Sequence, residues 1–182
     1  MWELVLRGIF SALFVASVLR ISTPLILPAL GGLISELSGA TNIALEGIML
    51  VAAFTGVVIS AYTQNVWLGV IAGMLSGVLI AGFLAYFHLY LKADLFLSGI
   101  ALNIMATGGT IFLLYVLTGD KGSSSTLASK AVPVVNIPII KDIPVLGTIL
   151  SGHNIFTYLA FILTWLVSVF LYRTPQGVHL RA

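Results

Sequence analysis

The chain has 182 residues, of which 59% are hydrophobic and only 8% charged. A water-facing domain carries about 25% charged residues, so this composition excludes a soluble globular surface and suits a protein with hydrocarbon outside. A formal charge of +2 on scattered Lys and Arg gives a nucleic-acid partner no footing, and the absence of cysteine excludes disulfides, thiolate metal sites and Cys nucleophiles. The length fits one domain, read here as a single transmembrane domain over residues 1–182.

The first 22 residues have the outline of a signal peptide, with Arg7 ahead of the apolar run Ile9 to Leu19. Glu3 in the charged region and the return of apolar character after Arg20 argue against it. Apolar character runs from Ile9 to Ile34, but Pro24 and Pro28 interrupt it, and proline removes a backbone donor and disfavours helix just before itself. Either one kinked helix or a short helix and a broken one fits, so this is a Pro-broken segment. Four clear spans follow: Ile43–Tyr62, Val66–Leu91, Leu95–Leu117 and Ile155–Tyr172. Each approaches the roughly 20 apolar residues that cross about 30 Å of hydrocarbon. The runs are continuous instead of alternating, which favours helices over barrel strands. The expected fold is an all-α, polytopic transmembrane helical bundle of about five spans.

Residues 119–154 differ in kind: Gly122-Ser123-Ser124-Ser125 is flexible, and Pro133, Pro138 and Pro144 punctuate short apolar runs that suggest a segment folded back on the membrane face. Arg173 and Arg181 beside the last span point to a cytoplasmic C-terminal side. Counting back places Lys92 inside and the 119–154 loop outside; that loop carries Lys121, Lys130 and Lys141, but long loops weigh less in the rule.

In the second clear span Gly69, Gly73, Gly77 and Ala81 recur every four residues, a small-residue stripe that lets another helix backbone come close. Glu46 lies four residues after Asn42, which puts both on one face at the start of the first clear span. Two readings stand for the pair. It bonds the chain break at Ser38–Thr41, or it lines a substrate path, since an ionised residue in a span must be compensated. Asn103 falls on one stripe with Gly99, Ala106 and Thr110. A buried Asn must find partners, so it bonds a neighbouring helix or, with Thr110, faces a wet pathway. Glu36 belongs to a polar connection, His88 to the interface, and His153 and His179 to loops. No His-Glu-x-x-His, Gly-x-Ser-x-Gly or Gly-x-x-x-x-Gly-Lys-Ser/Thr pattern occurs, so neither a metal, a catalytic site nor an ATP site is expected.

Thr23 to Leu50 reads TPLILPALGGLISELSGATNIALEGIML. It resembles the membrane-spanning permease subunits of ABC importers, in the nucleoside and simple-sugar branch of the branched-chain amino acid and ribose type. Ser98 to Asn103 and Thr174 to Ala182, reading SGIALN and TPQGVHLRA, resemble the same branch. The likeness runs from about Ser22 onward; Leu37 departs from it, standing where such permeases often carry a basic residue. The resemblance implies a multi-pass subunit of the cell membrane, without cofactor, that forms the translocation path for a nucleoside or simple sugar. Its partners would be a cytoplasmic ABC ATPase subunit, a second permease subunit (the same or different), an external substrate-binding lipoprotein or periplasmic protein, and the bilayer. It further implies that the chain is a fragment or truncated product, because the ATPase-docking segment of such permeases begins just after Ala182. An ion-coupled secondary transporter would need an inverted repeat, which is not visible. An intramembrane enzyme would need a paired nucleophile and base. A non-transporting scaffold is favoured if Asn42, Glu46 and Asn103 are all packing residues.

Overall fold

The computed structural model describes residues 12–119, 124, 126–135 and 151–181. The signal-like start before Ala12 and most of the 119–154 connection, including Pro138 and Pro144, lie outside these residues. Helix α1 spans Ala12–Leu37, α2 Leu45–Thr63, α3 Val66–Leu89, α4 Leu95–Thr118, α5 Ile155–Arg173 and α6 Pro175–Arg181. The first five are long and apolar enough to cross a membrane, and at most 22% of the most apolar stretch of any of them is buried. Large side chains such as Met74, Leu75, Val78 and Leu79 stand exposed on α3, as a lipid-facing surface requires. The only strands among the described residues are β1, Val134–Val135, and β2, His153–Asn154, paired antiparallel with Val135 opposite His153. The fold is an all-α bundle, as the continuous apolar runs imply.

The chain forms two compact units, one of Ile34–Ala131 and one joining α1 up to Leu33 with the described residues from Val132 onward. In the first, α2 and α3 form a hairpin joined by Gln64 and Asn65. Gln64 takes a left-handed φ of 53°, and its side chain donates to the Ala61 carbonyl at 2.6 Å. The Asn65 side chain then caps α3 by accepting from the Trp67 N–H at 3.0 Å. The small-residue stripe is the seam of this hairpin. A Cβ on Gly69 would lie 2.6 Å from the Gly56 carbonyl oxygen, and one on Gly73 2.9 Å from that of Ala52. The partner face repeats the same spacing at Ala52, Gly56 and Ser60, so two small-residue stripes meet. Ser60 is buried there with its hydroxyl unpaired. Ala81 is half-buried and stands at the edge of a separate recess. Helix α4 is capped by Asp94, which accepts from the Leu97 N–H at 2.9 Å, and closes on Gly119 at a φ of 78°. Ala44, Leu84 and Leu102 form its small core, with Ile48, Phe87 and Leu95 packed around them.

In the other unit, of the two arrangements open at Pro24 and Pro28 the single helix is found, because α1 runs through both without a gap. Each ring removes one N–H, but in an apolar solvent unwinding would free still more backbone groups, so the helix persists. The residue just before the first proline also ties the unit together. The Thr23 and Thr157 hydroxyls are hydrogen-bonded at 3.0 Å, and both residues are buried. Neither His153 nor His179 sits in an open loop as expected: His153 is buried in β2 and His179 lies within α6. The TPQG motif explains α6. Thr174 precedes the helix and its hydroxyl accepts from the Gly177 N–H at 3.2 Å, and Pro175 occupies the first helical position, where its missing donor costs nothing. A Cβ on Gly177 would lie 2.6 Å from the Leu171 Cα, so only glycine lets α6 fold this closely against the end of α5.

Candidate functional site

After α1 the chain turns at Gly39, whose φ is 81°. Asn42 then turns its side chain onto the backbone, accepting from the Ala44 N–H at 3.0 Å. Helix α2 begins only at Leu45, so Asn42 precedes it and does not share a helical face with Glu46. In place of the expected shared face, Asn42 closes an Asx turn on the Ala44 N–H just ahead of the helix.

The polar partner of this turn comes from α4. Asn103 Oδ1 accepts from the Gly47 N–H at 2.7 Å, and its Nδ2 donates to the Ile43 carbonyl at 2.9 Å. One side chain thus satisfies an N–H in the first turn of α2 and a carbonyl just before it, groups that a helix start in a membrane must pair somehow. Two glycines make the approach possible. A Cβ on Gly47 would come within 2.8 Å of Asn103 Oδ1, and one on Gly99 within 3.2 Å of the Ile43 Cβ. Of the two roles open to Asn103, the structure displays the interhelical bond.

Glu46 sits in the first turn of α2, exposed, and its carboxylate has no hydrogen-bond or ion-pair partner among the described residues. At 100° per residue Glu46, Leu50, Ala53 and Val57 fall within about 60° of one another. The last three, with Phe54, line one side of a cavity of about 240 Å³ between α2 and α4. Thr110 and Leu114 line the other side, and Ser124 and Leu127 stand at one end. Thr110 is buried and its hydroxyl donates to the Ala106 carbonyl at 2.8 Å, leaving its lone pairs free to accept. A second recess of similar volume is edged by Asn42, Ala81 and His88. Asn103 joins α2 to α4, Thr110 reaches the cavity, Glu46 stands on the cavity's stripe and Asn42 lies apart at the second recess. Among the described residues no group of three His, Asp or Glu could hold a metal ion. Among the described residues the arrangement offers a mostly apolar cleft with the Thr110 hydroxyl on its wall.

The residues that sequence reasoning missed are small or apolar: Gly47, Ala53, Phe54 and Thr157. A period-four run of Ala52, Gly56 and Ser60 was available as a signal for the α2 face. Nothing comparable marks Phe54 or Thr157.

Comparison with known proteins fits this geometry. The chain is 34% identical to a guanosine ABC transporter permease protein of Bacillus subtilis, over 94% of this chain and 55% of that protein. It is 34% identical to a nucleoside ABC transporter permease protein of Lactococcus lactis, over 93% of this chain and 55% of the relative. A putative glucose ABC transporter permease protein of Haloferax volcanii is 33% identical over 95% of this chain and 52% of its own length. The chain therefore spans about half the length of the curated relatives it matches. No solved structure matches it. The family described as branched-chain amino acid transport system / permease component matches residues 14–182, nearly all of the five-helix bundle, and the chain belongs to that family.

Proposed function

We propose that this chain is a transmembrane subunit of an ATP-driven ABC importer and forms part of the translocation path for a nucleoside or simple sugar. It works with a separate cytoplasmic ATPase that binds the ATP, a second permease subunit and an external substrate-binding lipoprotein or periplasmic protein. Its 1–182 region acts as one transmembrane domain, with the 119–154 connection outside. The observation that carries the reading is the cleft between α2 and α4, with a carboxylate on its stripe that has no partner among the described residues, in a chain of a permease family. A charge in an apolar span is retained where it meets water or a solute, so Glu46 belongs to the path. Asn103 fixes the turn that carries it. ATP hydrolysis elsewhere shifts the packed helices between outward-open and inward-open arrangements.

The test is uptake of labelled guanosine and glucose by the assembled importer in proteoliposomes, with ATP inside or outside, and with Glu46→Gln. Uptake driven by ATP, and lost in Glu46→Gln at unchanged melting temperature, is expected. Uptake that follows an ion gradient and ignores ATP would make the protein a secondary transporter. An intact complex that moves no solute would make it a scaffold.

A further inference from the structure

The relatives' printed substrates divide between nucleosides and a sugar, and the cleft's chemistry separates these. Resting on the reading of the chain as a permease subunit, we infer that the α2–α4 cleft takes the flat base of a neutral nucleoside, with Glu46 accepting from its sugar hydroxyls. The cavity of about 240 Å³ has room for one ring system and is open to the surface on one side. Its walls are Leu50, Ala53, Phe54 and Val57 on α2 and Leu114 on α4. Among the described residues, the hydroxyls that line it are those of Thr110 and Ser124.

A hexose entering such a slot would strip water from its hydroxyls and find too few partners, each unpaired one weakening binding by roughly fivefold or more. A nucleobase meets the opposite situation. Its π-faces stack on an aromatic ring and on aliphatic walls whatever the base, and Phe54 supplies the ring. The Thr110 hydroxyl has committed its proton to the Ala106 carbonyl, so towards the slot it is an acceptor for a base N–H. Four residues along α2 from Leu50, about 6 Å of helical rise, stands Glu46. An ionised carboxylate only accepts hydrogen bonds, so it suits the two free hydroxyls of a ribose. It repels a phosphate in the same place, which excludes nucleotides.

These 182 residues contain no cysteine, so Ala53→Cys places a thiol in the slot, and its labelling is read as the excess over the same importer carrying Ala53. The experiment uses the assembled importer in proteoliposomes carrying that substitution, labelled with a small water-soluble methanethiosulfonate. Guanosine is expected to slow labelling at least tenfold, while glucose and guanosine monophosphate leave it unchanged. Adding Phe54→Ala should raise the half-protecting guanosine concentration roughly tenfold. Phe54→Leu, which keeps apolar bulk without a flat face, should do the same at unchanged melting temperature. Equal protection by glucose, or protection indifferent to both Phe54 variants, overturns the inference. So does a thiol at this position that never reacts, which would mean that lipid or another helix fills the slot. ATP-driven uptake is followed in the same vesicles: uptake without the protection pattern sinks the base slot and leaves the importer, while absent uptake sinks the importer itself.

Discussion

Replacing the seam glycines of the α2–α3 hairpin by alanine should produce a graded series whose order follows from distances. Ordinary contact begins near 3.4 Å, and a Cβ on Gly69 would stand 2.6 Å from the Gly56 oxygen and 2.8 Å from the Ser60 Cβ. Backbone oxygen and a side-chain root cannot swing away, so the helices must part by several tenths of an ångström. Overpacking of this kind costs about 1–3 kcal/mol, against a gain of up to about 1 kcal/mol from replacing glycine inside a helix. Gly69→Ala should thus lose about 1–2 kcal/mol. At Gly73 the nearest atom is the Ala52 oxygen at 2.9 Å, and the two terms should nearly cancel. At Gly77 the Ile48 Cγ2 and Ala52 Cβ stand at 3.6 and 3.7 Å, ordinary contact, so alanine there should be neutral or stabilising by up to about 1 kcal/mol. Gly82, with nothing within 4 Å of its added Cβ, gives the propensity gain without any seam contact. Thermal unfolding of the four variants in one detergent measures the series. A Gly69→Ala protein as stable as the parent, or Gly77→Ala as the worst of the four, would refute the seam.

The remaining predictions concern polar groups. Asn103→Leu leaves the Gly47 N–H and Ile43 carbonyl unpaired and should lower stability by about 1–2 kcal/mol, since interhelical bonds in membranes average about 0.6 kcal/mol each and an orphaned group adds its desolvation; an unchanged melt would place the bond in water. Ser60→Ala removes the buried unpaired hydroxyl and should raise the melting temperature, by about 1 kcal/mol in stability. A double-mutant cycle of Thr23→Val and Thr157→Val should return a coupling of about 0.6 kcal/mol, and strict additivity would deny the bond. Cysteines placed by Ser124→Cys and Gln176→Cys should label oppositely with an impermeant reagent on intact cells, the first from outside and the second only after lysis; equal labelling would reverse or dissolve the topology.

The spans were legible because a hydrocarbon-crossing helix needs little beyond length and apolarity, and four of them began and ended within about two residues of their polar punctuation. The start of α2 was misplaced by two residues, since Ile43 is apolar enough for a span yet belongs to the turn that Asn42 and Asn103 hold. Spacing also gave Asn103 its stripe but could not name its partner, because the bonds cross from one helix to a turn some 60 residues earlier. Pro24 and Pro28 left two readings open, and the solvent separates them: water would stabilise the unwound backbone that lipid does not. The cleft escaped notice because Leu50, Ala53 and Phe54 are unremarkable lipid-compatible residues until α4 stands opposite them.

The two-residue link at Gln64 and Asn65 has a consequence for how the bundle is assembled. The seam contacts nearest that link are close in sequence: Ser60 meets Gly69, Gly56 meets Gly69, and Ala52 meets Gly73. Closing so short a loop costs little chain entropy, and contacts of small sequence separation form early. During synthesis from the N-terminal end, the hairpin can therefore zip from its turn while α4 is still unmade. Gly99 and Asn103 then arrive at a turn already held beside a finished pair of helices. The nascent chain supplies its own template, and a lesion at Gly69 would delay the docking of α4 as well as weaken the pair itself.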